Sequence, residues 1–439
     1  VIVSRAFAGK RYAVLGLARS GLATVEALLA SGAEVVAWDS DPDRREFMLD
    51  VVKTLSSTFD TVSLKIRDPL EIDLTGFDGV VVSPGVPINR HPIASKTRAA
   101  GVPLIGDIEL FAEARTDLPP HKVVGITGTN GKSTTTALVT HILKTAGVPT
   151  LMGGNIGLPI LSQEPLPAGG VYVLELSSYQ IDLTSSLDCD VAVLLNITPD
   201  HLDRYDGFAG YAAAKARLFA MQSASHVAVV ATQDDATRAI FRTLPEKGRV
   251  SVQGSDIDAT VQLHWSALQG PHNAQNAAAA IAACKALGLS EDAIETGLRS
   301  YPGLPHRMER VAERAGVLFV NDSKATNADS TAPALAAFPK IRWILGGQAK
   351  TQDLDACAPH YGHVRSAYTI GEAGAMFAAL LAPHMPVVES GTLGAAVKAA
   401  ANDAEAGDVV LLSPACASFD QFRDYEARGD AFRAAVGAL

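Results

Sequence analysis

Lys122-Val123-Val124-Gly125-Ile126-Thr127-Gly128-Thr129-Asn130-Gly131-Lys132-Ser133-Thr134 decides how the rest of this chain is read. An apolar strand runs straight into a glycine-bearing loop, and a helical run, Thr135–Lys144, follows. The two glycines let backbone N–H groups converge on phosphate oxygens, and a helix N-terminus favours anions. Lys132 can reach the β/γ-phosphates while the Ser133 hydroxyl ligates Mg²⁺. Gly128, Thr129, Asn130, Gly131, Lys132, Ser133 and Thr134 are therefore the candidate ATP-binding loop. The strict phosphate-loop spacing fails, because it places its first glycine where Ile126 stands. An ordinary strand–turn–helix joint of small residues is the alternative. The coincidence of strand, glycines and Lys-Ser pair weighs against it.

Upstream, the strand Tyr12–Leu15 leads into Gly16-Leu17-Ala18-Arg19-Ser20-Gly21. A helix-like run, Leu22–Ala30, stops near Gly32, and a second strand, Glu34–Trp38, ends at Asp39. This is βαβ grammar with a glycine-bearing first turn. A further strand, Gly79–Val82, meets the enforced turn Ser83-Pro84-Gly85-Val86-Pro87. Downstream, strands are expected at Val171–Leu174 and Asp190–Leu195, with an alanine-rich helix over Asn273–Leu287. Beyond Tyr301-Pro302-Gly303-Leu304-Pro305, strand and helix alternate again through Val317–Val320, Ser330–Ala337, Arg342–Leu345 and Val409–Leu412. Asp117-Leu118-Pro119-Pro120 marks the other boundary, so the expected domains are 1–118, 119–303 and 304–439. The fold class is α/β with mainly parallel sheets: Rossmann-like at the N-terminus, P-loop ATPase-like in the centre and Rossmann-like at the C-terminus.

The 439 residues exceed one compact core, and 48% hydrophobic with 19% charged residues is ordinary for a globular enzyme. A net charge of −10 without a long basic run argues against nucleic acid as a partner. No apolar run is long enough for a membrane span, and Val1-Ile2-Val3-Ser4-Arg5 has no signal-peptide core. Cys189, Cys284, Cys357 and Cys416 are scattered, which fits no zinc site and suits a reducing compartment. The expected location is the cytoplasm, and the expected form a monomer.

Three further residues suggest a metal site. Glu175 follows the strand Val171–Leu174, at the sheet end where α/β sites form. His201 lies in Asn196-Ile197-Thr198-Pro199-Asp200-His201-Leu202-Asp203, just past another apolar strand; alone, such a histidine is more often a hydrogen-bonding structural residue, and its place beyond a strand end, like that of Glu175, shifts the balance towards a ligand. Lys215 shares a helical stripe with Tyr211, Leu218 and Phe219. It can snorkel to water, or lie buried with a depressed pKa and react with CO₂ to give a metal-binding carbamate.

Together these stretches resemble the cytoplasmic Mur ligases of peptidoglycan synthesis, over the whole chain. The phosphate loop is shared broadly, including with folylpolyglutamate synthases. Gly153-Gly154-Asn155-Ile156-Gly157, Glu175-Leu176-Ser177-Ser178-Tyr179-Gln180 and Asn196–Tyr205 are narrower. Asn321-Asp322-Ser323-Lys324-Ala325-Thr326-Asn327 and Leu412-Ser413-Pro414-Ala415-Cys416-Ala417-Ser418 are similar to the branch that adds D-glutamate to UDP-N-acetylmuramoyl-L-alanine. The resemblance implies that Lys132, Glu175, His201 and Lys215 serve catalysis. Ser133 and Glu175 would attend one Mg²⁺, and Glu175, His201 and a carbamylated Lys215 a second. It also implies that Asn276, Arg307 and Asp322 serve the adenine, terminal phosphate and ribose of ATP. Asn155 and Ser177 would touch the muramoyl-alanine portion, and Thr326, Lys350, Ser418 and Tyr425 would hold D-glutamate. Ala18, Arg19, Ser20, Asp39, Ser40, Ser83 and Gly85 complete the substrate side, around the uridine diphosphate.

This chain departs from the family pattern in three places. Ala18 replaces the middle glycine of the first turn, Asp41 stands where relatives carry an arginine that Arg44 could replace, and Tyr425 replaces a frequent phenylalanine. An NAD-binding oxidoreductase built on Gly16–Gly21 and Asp39 is the rival from another class; Ala18 spoils its fingerprint, and that reading leaves the phosphate loop unexplained. A catalytically dead nucleotide-binding scaffold would not need Lys132, Glu175, His201 and Lys215 together. Another Mur ligase or a folylpolyglutamate synthase-like amide ligase is the nearest alternative.

Overall fold

The computed structural model describes residues 1–56, 63–200 and 204–439. They form two compact units, Val1–Asp256 with Gln275–Leu298, and Ile257–Ala274 with Arg299–Leu439.

The first unit carries two sheets. One contains β1 (Arg11–Leu15), β2 (Glu34–Trp38), β3 (Ser63–Ile66), β4 (Gly79–Val82) and β5 (Leu104–Ile105), in the order β3-β2-β1-β4-β5 and parallel throughout. That order reverses between β1 and β4, which opens a crevice at their carboxyl ends, where the glycine turn and the Ser83 turn lie. The other contains β6 (His121–Thr127), β7 (Thr150–Gly154), β8 (Gly170–Glu175), β9 (Val191–Leu194), β10 (Val227–Ala231) and β11 (Arg249–Val252), in the order β11-β10-β9-β6-β8-β7, also parallel. β4, β8 and β9 are buried at every position, as strands covered on both faces must be, and this explains why their sequences are apolar almost throughout instead of alternating.

The two sheets share one core, in which Phe111 meets Tyr172 edge-on at 5.0 Å. Helix Asp107–Ala114 is tied to the second sheet's side by Glu109, whose carboxylate accepts from Ser185 N at 2.6 Å and Ser186 N at 3.0 Å.

The second unit holds β12 (Glu309–Arg314), β13 (Val317–Asn321), β14 (Ile341–Gly346), β15 (Val364–Ile370), β16 (Val387–Gly391) and β17 (Val409–Leu412), in the order β12-β13-β17-β14-β15-β16. Only β12 runs antiparallel. Alternation along β14 and β17 feeds two cores: Trp343, Leu345 and Leu411 face one side, and Ile344, Val410 and Leu412 the other. The α/β class with mainly parallel sheets is thus as the sequence predicts. Every strand expected from an apolar run is present, with ends moved by a residue or so. Among the described residues, no helix is long and apolar enough to cross a membrane.

Candidate active site

In the first unit the site forms at the carboxyl ends of three neighbouring strands. β6 runs between β9 and β8, so the phosphate loop emerges between Glu175, paired in register with Ile126, and Asn196. Gly128 and Gly131 take φ of +154° and +84°, values that side-chain-bearing residues rarely adopt. A Cβ on Gly131 would also sit 2.3 Å from Asn276 Oδ1, so Asn276 packs directly on the loop. Asn196 fixes the loop from the other side: its Oδ1 accepts from Asn130 N at 2.8 Å and its Nδ2 donates to Asn130 O at 3.0 Å. Thr129 N donates to Asn196 O, and Thr198 N donates to Thr129 Oγ1. Lys132 opens helix Lys132–Thr145 and curls back, donating to Gly128 O and Thr129 O at 2.8 Å each. Ser133 is buried in the same first turn, with Thr134 next to it.

Lys215 does not snorkel. It is 1% exposed, and Tyr211, Leu218 and Phe219 are buried with it, so the whole stripe faces inward. Its Nζ donates to Gly128 O at 2.9 Å and lies 4.6 Å from the Tyr211 ring centre. Burial, and then the nearby Lys132 charge, hold its amine well below the ordinary lysine value; Asp200 and Asp182 pull the other way. Glu175 is 2% exposed. Its Oε1 accepts from Asn155 Nδ2 at 2.9 Å, whereas Oε2 is buried with no hydrogen-bond partner among the described residues. A buried carboxylate oxygen without a donor suits a cation, so these residues fit Mg²⁺. Ser177 is less free than its sequence position suggests, because it caps helix Ser178–Asp182 in a reciprocal pair with Gln180. His201 lies outside the described residues.

At the first sheet, the glycine turn is held from three sides. Gly16 takes φ +93°, and Ser83 Oγ donates to Gly16 O at 2.9 Å. Asp39 is 6% exposed and accepts from Leu17 N, Asp41 N and Arg44 Nη1. Burial pushes its carboxyl up, but those donors outweigh it and leave the group below its usual value. Arg44 also pairs with Asp41 at 3.4 Å, which puts the compensating guanidinium beside the one departing position in this turn that carries charge. Arg19 Nη2 donates to Gly157 O, whereas Ser40 and Gly85 are exposed.

The second unit repeats the arrangement at the ends of β13, β17 and β14. Asp322 follows β13, is 7% exposed, and accepts from Ser413 Oγ at 2.8 Å and Met308 N at 3.2 Å. Burial drives its carboxyl up to about 7, against the Ser413 hydroxyl, the Met308 N–H and the Arg307 charge. Gln348 and Ala417 form an antiparallel bridge, which sets the loop bearing the exposed Lys350 alongside the buried Ser418. Thr326 is half-buried just before helix Ala328–Ala336, and Tyr425 begins helix Tyr425–Gly437.

Two residues there were not singled out by the sequence reading. The Lys324 ammonium stands 3.7 Å over the Tyr425 ring. Arg428, 1% exposed, donates to Ser323 Oγ and to the carbonyls of Ser323, Cys416 and Ala417, joining both loops. Asn196 was the third omission, and its place just beyond an apolar strand was a usable signal. Nothing in the sequence around Arg428 marked it, since its partners are up to 105 residues away.

The Mur ligase middle domain family matches residues 126–266, and the Mur ligase, glutamate ligase domain family matches residues 306–416. The chain is 65% identical over 443 residues to a UDP-N-acetylmuramoylalanine–D-glutamate ligase of Novosphingobium aromaticivorans, covering 100% of this chain and 97% of that protein. It is 59% identical over 444 residues to the protein of the same name from Zymomonas mobilis, covering all of both. Among solved structures it is similar to a UDP-N-acetylmuramoylalanyl-D-glutamyl-2,6-diaminopimelate–D-alanyl-D-alanyl ligase from Acinetobacter baumannii, with a TM-score of 0.59 at 18% identity over 100% of this chain and 92% of that one; this is a likeness of fold. With such identity sustained along its whole length, the chain belongs to the Mur ligases, in the UDP-N-acetylmuramoylalanine–D-glutamate ligase family.

Proposed function

We propose that this chain is an ATP-dependent amide ligase that adds D-glutamate to UDP-N-acetylmuramoyl-L-alanine through an acyl phosphate, in peptidoglycan precursor synthesis. The observation that carries the reading is the fully buried Lys215 hydrogen-bonded to the phosphate loop, in a chain so close to ligases of that name. Residues 1–118 take the uridine nucleotide, 119–303 ATP and 304–439 D-glutamate. The protein works as a monomer in the cytoplasm.

Lys132 and the loop N–H groups hold the γ-phosphate of ATP in line with the L-alanyl carboxylate. Asn276 serves the adenine, Arg307 the terminal phosphate and Asp322 the ribose. An oxygen of the carboxylate attacks the γ-phosphorus, the bond to the β–γ bridging oxygen breaks, and ADP leaves. The amine of D-glutamate, positioned by Thr326, Lys350, Ser418 and Tyr425, then attacks the acyl carbon; phosphate departs, and the nitrogen gives up its proton. Asn155 and Ser177 orient the muramoyl-alanine end. Mg²⁺, held by Ser133 and Glu175 and, at a second position, by Glu175, His201 and Lys215, would supply positive charge against the crowded oxygens. For that second position Lys215 acts as a carbamate. Its neutral Nζ attacks the carbon of CO₂, forming an N–C bond and releasing one proton to solvent, and a carboxylate replaces the amine. The depressed pKa favours this step, because only the unprotonated amine is a nucleophile.

The test is phosphate release from ATP with Mg²⁺ and UDP-N-acetylmuramoyl-L-alanine, with D-glutamate, L-glutamate or no amino acid. Stimulation by D-glutamate alone is expected. No stimulation would sink the acceptor assignment, and preference for L-glutamate would overturn its handedness. Lys215→Ala should lose about ten- to a hundredfold in kcat, as expected when a metal-supporting group is removed. With ¹³C-labelled bicarbonate the wild type should show a carbamate carbon signal that the variant lacks.

A further inference from the structure

Asp107 is a deeply buried carboxyl of the first unit that the reaction leaves unused. It opens helix Asp107–Ala114 and is 4% exposed. Oδ1 accepts from Ile108 N at 3.0 Å, while Oδ2 is buried with no hydrogen-bond partner among the described residues. The carboxyl lines a tight cavity with Val14, Ser20, Gly21, Thr24, Ser83 and Pro84, and the cavity has no room for a water molecule. The side chains from β1, helix Arg19–Ala30, β4 and the Ser83 turn that face it include no other titratable group. Burial alone therefore pushes the carboxyl up, to about 6.

The cavity wall is also the back of the crevice. Ser20 lies in the first turn of helix Arg19–Ala30, and Ser83 donates to the carbonyl of Gly16. These are the turns assigned above to the uridine diphosphate. An anion seated in front of Ser20 and Ser83 is thus one residue layer away from a carboxyl that has neither a counter-charge nor water. In such a low-dielectric layer, like charges disfavour joint ionisation.

We propose that Asp107 is a positioning residue of the uridine-nucleotide subsite, and that it takes up a proton when the diphosphate is seated against the Ser20 and Ser83 turns. In its neutral form it braces the two turns from behind without repelling the phosphates. This rests on the assignment of the first sheet to the uridine nucleotide. The linkage has a fixed sign. Substrate binding raises the Asp107 pKa, so above the free-protein value affinity falls as pH rises, by at most about tenfold per pH unit.

Calorimetric titration of the full-length protein with UDP-N-acetylmuramoyl-L-alanine, in two buffers of different protonation enthalpy, reads the effect directly. The substrate's diphosphate diester and carboxylate do not themselves titrate near neutrality. The wild type should take up a sizeable fraction of a proton near pH 7 and bind several-fold more weakly at pH 8 than at pH 6.5. Asp107→Asn keeps an acceptor for Ile108 N, and should bind with that proton uptake removed and a flatter pH profile. Equal uptake in both proteins overturns the proposal. Asp107→Leu is a second check: it too should abolish the uptake, and if it binds with the wild-type pH dependence the proposal also fails. Uridine-nucleotide binding undisturbed by Ser20→Trp would instead refute the subsite assignment itself.

Discussion

A single buried carboxyl shows how burial and function interact in this chain. Asp322 is held by Ser413 and Met308, yet its pKa stands near 7, because burial outweighs those donors. The unfolded value is about 3.9, so between about pH 4 and pH 7 the folded protein binds more protons at this group than the unfolded chain does. The stability it contributes is fully present below about pH 4 and is lost as pH rises through 7. Asp322→Asn removes the titration, and its amide can donate to the Ser413 hydroxyl, which can turn towards Thr331 Oγ1 at 3.1 Å. Urea unfolding of both proteins from about pH 5 to pH 8 should therefore show the wild type losing ground, by at most about 1.4 kcal/mol per pH unit. A difference that stays flat with pH would mean that the carboxyl is not raised. In the sequence Asp322 is marked only by a family likeness. A pKa near 7 depends on Ser413, which is 91 residues away, and on how deeply the loop is buried.

Strands and turns were legible to different degrees. β4, β8, β9 and β17 read directly from apolar runs, because strands covered on both faces have no polar side to show. β5, β7, β10, β11 and β15 were not named, although β10 and β15 are interior and largely buried. β3, β12 and β16 were not named either; they lie at the sheet edges, where β3 alternates exposed and half-buried residues and β12 reads Glu-Arg-Val-Ala-Glu-Arg. Charge on an edge strand blocks pairing with other chains and also erases the hydrophobic signal. The glycine turn was legible in composition but not in its tightness. Gly21 has an ordinary φ, yet a Cβ there would lie 1.8 Å from the backbone oxygen of Gly16. Backbone cannot yield as a flexible side chain can, so Gly21→Ala must push helix Arg19–Ala30 away from β1. The expected cost is about 1–3 kcal/mol, as for overpacking elsewhere, with a raised KM for the uridine substrate and a smaller effect on the KM for D-glutamate. Urea denaturation and steady-state kinetics on one preparation would check both, and unchanged stability would show that the turn is not braced by that contact.

At the scale of the molecule, charge poses a problem that local structure must solve. The chain carries a net charge of −10, and its proposed substrates, a uridine diphosphate sugar, ATP and glutamate, are all anions. A long-range field of that sign slows their approach instead of steering it. Attraction must come from short-range features: the N-terminus of helix Lys132–Thr145 with Lys132, the turn at Arg19, and the exposed Lys350. The two kinds of force respond differently to salt. Raising ionic strength from about 0.01 M to 0.15 M shortens the Debye length from about 30 Å to about 8 Å, which screens the whole-molecule repulsion. Contacts at hydrogen-bond distance are much less affected. kcat/KM for UDP-N-acetylmuramoyl-L-alanine should therefore stay level or rise modestly over that range, measured with Mg²⁺ held constant. A steep fall would mean that a cationic surface governs capture, and the short-range account would have to be abandoned.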